Sequence, residues 1–102
     1  MFKSIILATI IILLIPFVCI ASETERIIAA VSIYNELSSN DSEHVITVKK
    51  IKGKYARATI SLKNGKGETD IVYLKKTKQG WQVLDQGTGV NPYELNIPRE
   101  AW

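Results

Sequence analysis

Tyr55 to Leu74 reads YARATISLKNGKGETDIVYL, and the pairing of this stretch decides the fold. Tyr55 to Leu62 alternates apolar with polar residues, Thr69 to Leu74 is apolar and β-branched, and the Asn64-Gly65 pair between them is the strongest short hairpin signal. A two-residue turn there pairs Lys63 with Lys66, Ile60 with Thr69, Ala58 with Ile71 and Ala56 with Tyr73. Directly opposed residues share a face of the sheet, so the last three pairs, two residues apart along each strand, define one side.

Outward from this hairpin the pattern stays strand-like. Val45 to Ile51 alternates and is rich in β-branched residues, Gly53 punctuates it, Gly80 marks another turn, and Trp81 to Leu84 closes the run. Upstream, Ser22-Glu-Thr-Glu25 has the form of a capping box, after which Ile27, Ala30, Val31, Tyr34 and Leu37 recur at three- and four-residue steps as one apolar stripe. Ser38 to Ser42 ends it with short polar side chains that compete for backbone hydrogen bonds. The expected fold is α+β, one N-terminal helix packed on a four-stranded antiparallel meander. Gly87-Thr-Gly89 and Asn91-Pro92 then lead into a tail, residues 91–102.

The register sorts the side chains. Ala56 and Ala58 admit a close helix, with Ile60, Leu62, Ile71, Tyr73 and Leu84 beside them, and a three-residue turn at Lys52 to Lys54 adds Ile46 and Val48. The reverse side then carries Ile51, Tyr55, Val72, Leu74, Trp81 and Val83, an apolar area larger than soluble monomers usually expose. It needs a cover: either the tail, through Tyr93, Leu95, Ile97 and Trp102, or a protein partner, a second copy making a homodimer included.

The first 21 residues, MFKSIILATIIILLIPFVCIA, have one cation at Lys3, an apolar run, a break at Pro16 and a small residue at Ala21. This is the layout of a signal peptide cleaved after Ala21, giving a periplasmic or extracellular protein. Uncleaved, the leader anchors the chain in a membrane. Its apolar run from Ile5 to Ile20 falls just short of the roughly 17 residues a spanning helix needs. A lipid on Cys19 is disfavoured by the bulky Val18 before it. Removing 21 of 102 residues leaves an 81-residue single domain, 22–102, with no cysteine.

The single His and single Cys exclude the usual Cys/His zinc sets and an internal disulfide. His44 stands beside Asp41, Ser42 and Glu43, but neighbouring residues entering a strand point alternately and do not converge. No Gly-x-Ser-x-Gly elbow is present, Gly87-Thr-Gly89 lacks the Lys-Ser/Thr of a phosphate loop, and Glu68 with Asp70 reads as surface charge beside Arg57 and Lys66. The expectation is a protein that is not an enzyme and takes no metal or cofactor.

Charge is the clearest functional signal. Between His44 and Gly80 lie ten cations and two acids, and a meander brings its first and third turns to one end. Lys49, Lys50, Lys52, Lys54, Lys75, Lys76 and Lys78 gather there and favour anions. Nucleic acid is not expected, for want of any recognition motif. The binding residues expected are Trp81, Val83, Leu74 and Tyr55 on the reverse face and Lys52, Lys54, Lys76 and Lys78 at the turns.

With Gly80-Trp81 opening the last strand and Trp81-Gln-Val-Leu-Asp85 on it, residues 22–90 resemble the cystatin-like and nuclear-transport-factor-like group of folds, as met in small exported bacterial domains. The resemblance implies a helix lying across a curved sheet. Cystatins act through a Gln-x-Val-x-Gly hairpin, whereas the matching hairpin here is Lys50-Ile-Lys-Gly-Lys54. The function expected is a non-enzymatic exported binding domain contacting a protein partner or anionic envelope component. The alternative is an inhibitor of an exported hydrolase.

Overall fold

The computed structural model describes residues 21–102, and the leader reading for the residues before them lies outside the described part. One helix, α1 (Glu23–Tyr34), packs on a four-stranded antiparallel sheet of β1 (His44–Lys52), β2 (Tyr55–Leu62), β3 (Asp70–Thr77) and β4 (Gly80–Gly87) in the order β1-β2-β3-β4. The expected α+β meander is therefore the fold.

α1 begins as its sequence dictates, with Ser22 Oγ accepting from the Glu25 N–H at 3.1 Å. It ends earlier than its apolar stripe. Asn35 caps it, Glu36 takes a left-handed φ of 55°, and the N–H groups of Glu36 and Leu37 reach back to the carbonyls of Ile33 and Ser32. That is a Schellman closure, and it folds Leu37 onto the core while Tyr34 stays 54% exposed.

The β2–β3 register differs by one residue from the two-residue turn. Ile60 pairs with Asp70, Ala58 with Val72 and Ala56 with Leu74. The chain turns tightly at Leu62 to Gly65, where the Gly65 N–H reaches the Leu62 carbonyl at 3.0 Å and Asn64 Oδ1 accepts from the Lys66 N–H at 2.8 Å. It then needs Gly67 at φ 88° to come round before β3 starts. A slip of one residue in a period-two structure exchanges the faces of a whole strand. Val72 and Leu74 thus lie under the helix, and Ile71 and Tyr73 lie on the reverse side.

The helix-side core comprises Ile27, Val31, Ala56, Ala58, Ile60, Val72, Leu74 and Trp81, with Ala30, Leu37, Ile46, Val48 and Val83 against it. Ile46 and Val48 reach this face through a bulge at Lys49, which combines with a two-residue turn at Gly53-Lys54 to give the register expected of a longer turn. A second irregularity in β4 leaves Leu84 without a cross-strand partner and 37% exposed, so it does not join the helix side. Leu62 is likewise 36% exposed.

The tail covers the reverse face, as one reading of the sequence expected, but over different residues. Tyr73, Ile97 and Ala101 are buried together, with Tyr55, Ile71, Val90, Leu95 and Trp102 packed around them. Tyr93 stays exposed. Trp102 Nε1 donates to the Ile97 carbonyl at 2.8 Å, closing the short 3-10 turn Arg99–Ala101 onto the sheet.

Candidate functional site

The register correction removes the apolar half of the expected binding surface. Leu74 is fully buried, Trp81 is 9% exposed, and Val83 is half-buried, all beneath α1. Tyr55 is on the reverse face, half-buried under the tail. None of the four forms a bare patch, because β3 and β4 both turn the opposite way from the two-residue hairpin.

Trp81 instead anchors the start of the helix. Its Nε1 donates to Glu23 Oε2 at 2.7 Å, and Lys76 Nζ donates to Glu23 Oε1 at 2.8 Å while standing 6.0 Å from the indole centroid. An indole buried to this extent needs a partner for its N–H, and the carboxylate supplies it. The hydrogen bonds from Lys76 and Trp81 hold the Glu23 carboxyl below its usual value. At the other end of α1, the amides of Asn35 and Gln86 exchange hydrogen bonds at 2.8 and 2.7 Å. The helix therefore runs from the Gly53/Gly80 end of the sheet to the Asn64 end.

The four lysines of the expected site do come together. Lys52 ends β1 and Lys54 lies in the β1–β2 turn, Lys76 stands near the end of β3 and Lys78 in the β3–β4 turn, and all four are exposed. The Lys76 N–H donates to the Lys54 carbonyl at 2.7 Å, which sets the two turns side by side. Lys49 and Lys50 on β1 and Lys75 on β3 extend the cluster. Lys50 Nζ reaches the Trp102 main-chain oxygen at 3.3 Å, and Lys75 stands 5.8 Å from the Tyr55 ring. A groove of about 270 Å3 runs between this end and the tail, lined by Lys52, Lys54, Tyr55, Pro98, Glu100 and Ala101.

The opposite end carries Glu36, Asp41, Glu43, Glu68, Asp70 and Asp85 against Lys63 and Lys66. At the basic end Glu23, Glu25 and Glu100 are outnumbered by the lysines, so the molecule is polarised along its strands. His44 is held there by Asp41, whose two oxygens meet its N–H at 3.0 Å and its Nδ1 at 3.3 Å. These bonds, with the backbone one first, lower the Asp41 carboxyl below its usual value. Among the described residues no group of three or more His, Cys, Asp or Glu side chains could hold a metal ion.

A second, larger groove of about 420 Å3 lies between α1 and β1, lined by Ile28, Ile33, Leu37 and Ile46 with Asp41 and His44 at its rim. The sequence stripe hid it, because Ile28 and Ile33 sit off the stripe and Ile33 is 76% exposed. Compared with known protein families, with curated proteins and with solved structures, the chain gives no match.

Proposed function

We propose that this is an exported, non-enzymatic binding domain, that its contact surface is the basic turn end, and that its partner is an anionic envelope component. The observation that supports this is the juxtaposition of Lys52, Lys54, Lys76 and Lys78 on two turns held side by side, where they outnumber Glu23, Glu25 and Glu100, while six of the ten acids stand at the far end. Lysines at turns also serve solubility, but a purely solubilising charge is better spread than gathered at one end. A field built this way draws anions from a distance and is weakened by salt.

A cystatin-like reading of the fold supports a second function, inhibition of an exported hydrolase. The feature favouring it is the adjacency of the turns at 53–54 and 78–79, which together form a two-loop edge able to enter a cleft.

Retention of the full chain on immobilised polyphosphate tests the first reading. Retention is expected to fall steeply with added salt, and the triple variant Lys52→Glu/Lys54→Glu/Lys78→Glu, which spares the Lys76 pair with Glu23, is expected to abolish it. Retention that ignores both salt and the reversal overturns it, and salt-insensitive inhibition of a hydrolase would favour the second reading instead.

A further inference from the structure

We infer that the anionic component is the phospholipid head-group layer itself, met end-on by the basic turns at the point where the chain's own apolar stretch joins the domain. This rests on the reading of the basic end as the contact surface and takes the uncleaved reading of the leader, in which residues 5–20 stay attached as a membrane anchor.

Three observations lead there. The first is the entry point of the chain. Glu23 opens α1 and is bonded to Lys76 and Trp81, so the helix start is fixed at the basic end, with Ser22 and Ala21 leading directly from it. The apolar run Ile5 to Ile20 precedes Ala21 in the sequence. From Ile20 to Glu23 is three residue steps, a reach of at most about 10 Å. A bilayer holding residues 5–20 has its head groups within about one screening length of the lysines.

The second observation is the polarity. An eight-residue strand spans about 26 Å, so the acids of the far end stand more than two screening lengths from a surface that touches the turns. The near end is attracted and the far end is not repelled, which fixes the orientation of the domain as well as its affinity. A soluble polyanion exploits the lysines equally but gains nothing from where the chain enters.

The third is Ile51, 40% exposed beside Lys52. Cations with an adjoining apolar side chain suit the boundary between head groups and acyl chains. With residues 5–20 in the same bilayer, docking is intramolecular, so weak individual contacts suffice.

The test uses the full chain with Cys19→Ser and a single fluorophore, placed either at Gln79→Cys in the basic turn or at Ser42→Cys near the far end. Vesicles of phosphatidylcholine, with or without phosphatidylglycerol, carry a quencher on the head groups. With phosphatidylglycerol at low salt, quenching at position 79 is expected to exceed that at 42 several-fold. The difference is expected to vanish in phosphatidylcholine alone, at high salt, and in the 52/54/78 reversal. Each lysine near an anionic surface contributes roughly fivefold to binding, so three reversals remove roughly a hundredfold or more. A triple Gln variant gives the same outcome should the Glu variant fail to fold. Equal quenching at the two positions with phosphatidylglycerol, or a difference that persists unchanged without it, overturns the inference. If lysine-dependent retention on polyphosphate survives alongside that result, the anionic-surface reading stands and only the lipid is wrong. Loss of both overturns both.

Discussion

Beneath α1, Ile27, Val31, Val72 and Leu74 are sealed from water, whereas beneath the tail the sealed residues are Tyr73, Ile97 and Ala101, ringed by half-buried neighbours. The helix side is built from a capped regular element bonded at both ends, to Trp81 through Glu23 and to Gln86 through Asn35. The tail satisfies its own backbone through short-range turns such as Leu95 N–H to the Pro92 carbonyl and Ala101 N–H to the Pro98 carbonyl. It adheres to the sheet through apolar contact and Lys50. One face is therefore structural core, and the other is a strap laid over a sheet that already exists, the kind of segment that opens locally before the whole unfolds.

The largest effect is expected from Leu74→Ala, which leaves a cavity in the helix-side core and costs about 2–5 kcal/mol, read from the shift in urea midpoint. Next comes Ile97→Ala. It is expected to cost about 2 kcal/mol, the low end for such a truncation, because the tail can settle into the space. Its signature is faster amide exchange in residues 91–102 with β2 and β3 protected; a global loss equal to that of Leu74→Ala would erase the distinction between core and strap. Ser22→Ala removes the helix cap and is expected to cost about 1 kcal/mol, again in the urea midpoint, with the tail unaffected.

The smallest effect concerns Glu23. Its carboxyl is lowered from 4.5 by Lys76 and Trp81, so the unfolded chain takes up this proton more readily than the folded one. The resulting stability is present above the ordinary value and is lost as pH falls through the lowered one. Urea midpoints followed from neutral into acid pH should decline there, and Glu23→Gln should flatten that part of the decline. A profile unchanged by Glu23→Gln would mean that the ion pair on the helix side contributes nothing measurable, as many exposed pairs do.

The element order was legible because it rests on local signals: the Ser22 cap, the alternation of Val45 to Ile51 and Tyr55 to Leu62, and glycines at 53 and 80. A tail over the reverse side was expected from an apolar excess assigned to the wrong residues: of those placed there only Tyr55 lies under the tail, beside Ile71 and Tyr73. What misled was the Asn64-Gly65 pair. It does turn the chain, but the connection takes in Gly67 as well, and residues 71–74 are apolar on both sides, so alternation could not decide which of Val72 or Tyr73 faces the helix. With that one choice reversed, Leu74, Trp81 and Val83 moved from surface to core. The lysines kept their place, since which turns share an end depends on strand order and not on register. The Glu23 partner of Trp81 lay 58 residues away and left no trace in local pattern.

The bulges at Lys49 and Leu84 sit on β1 and β4, the two outermost strands. Each interrupts the even row of amides and carbonyls that a neighbouring molecule would need in order to add itself as a fifth strand. Two borders broken in this way make a poor template for a further strand, and on β1 the same insertion that aims Ile46 and Val48 inward is the one that roughens the border.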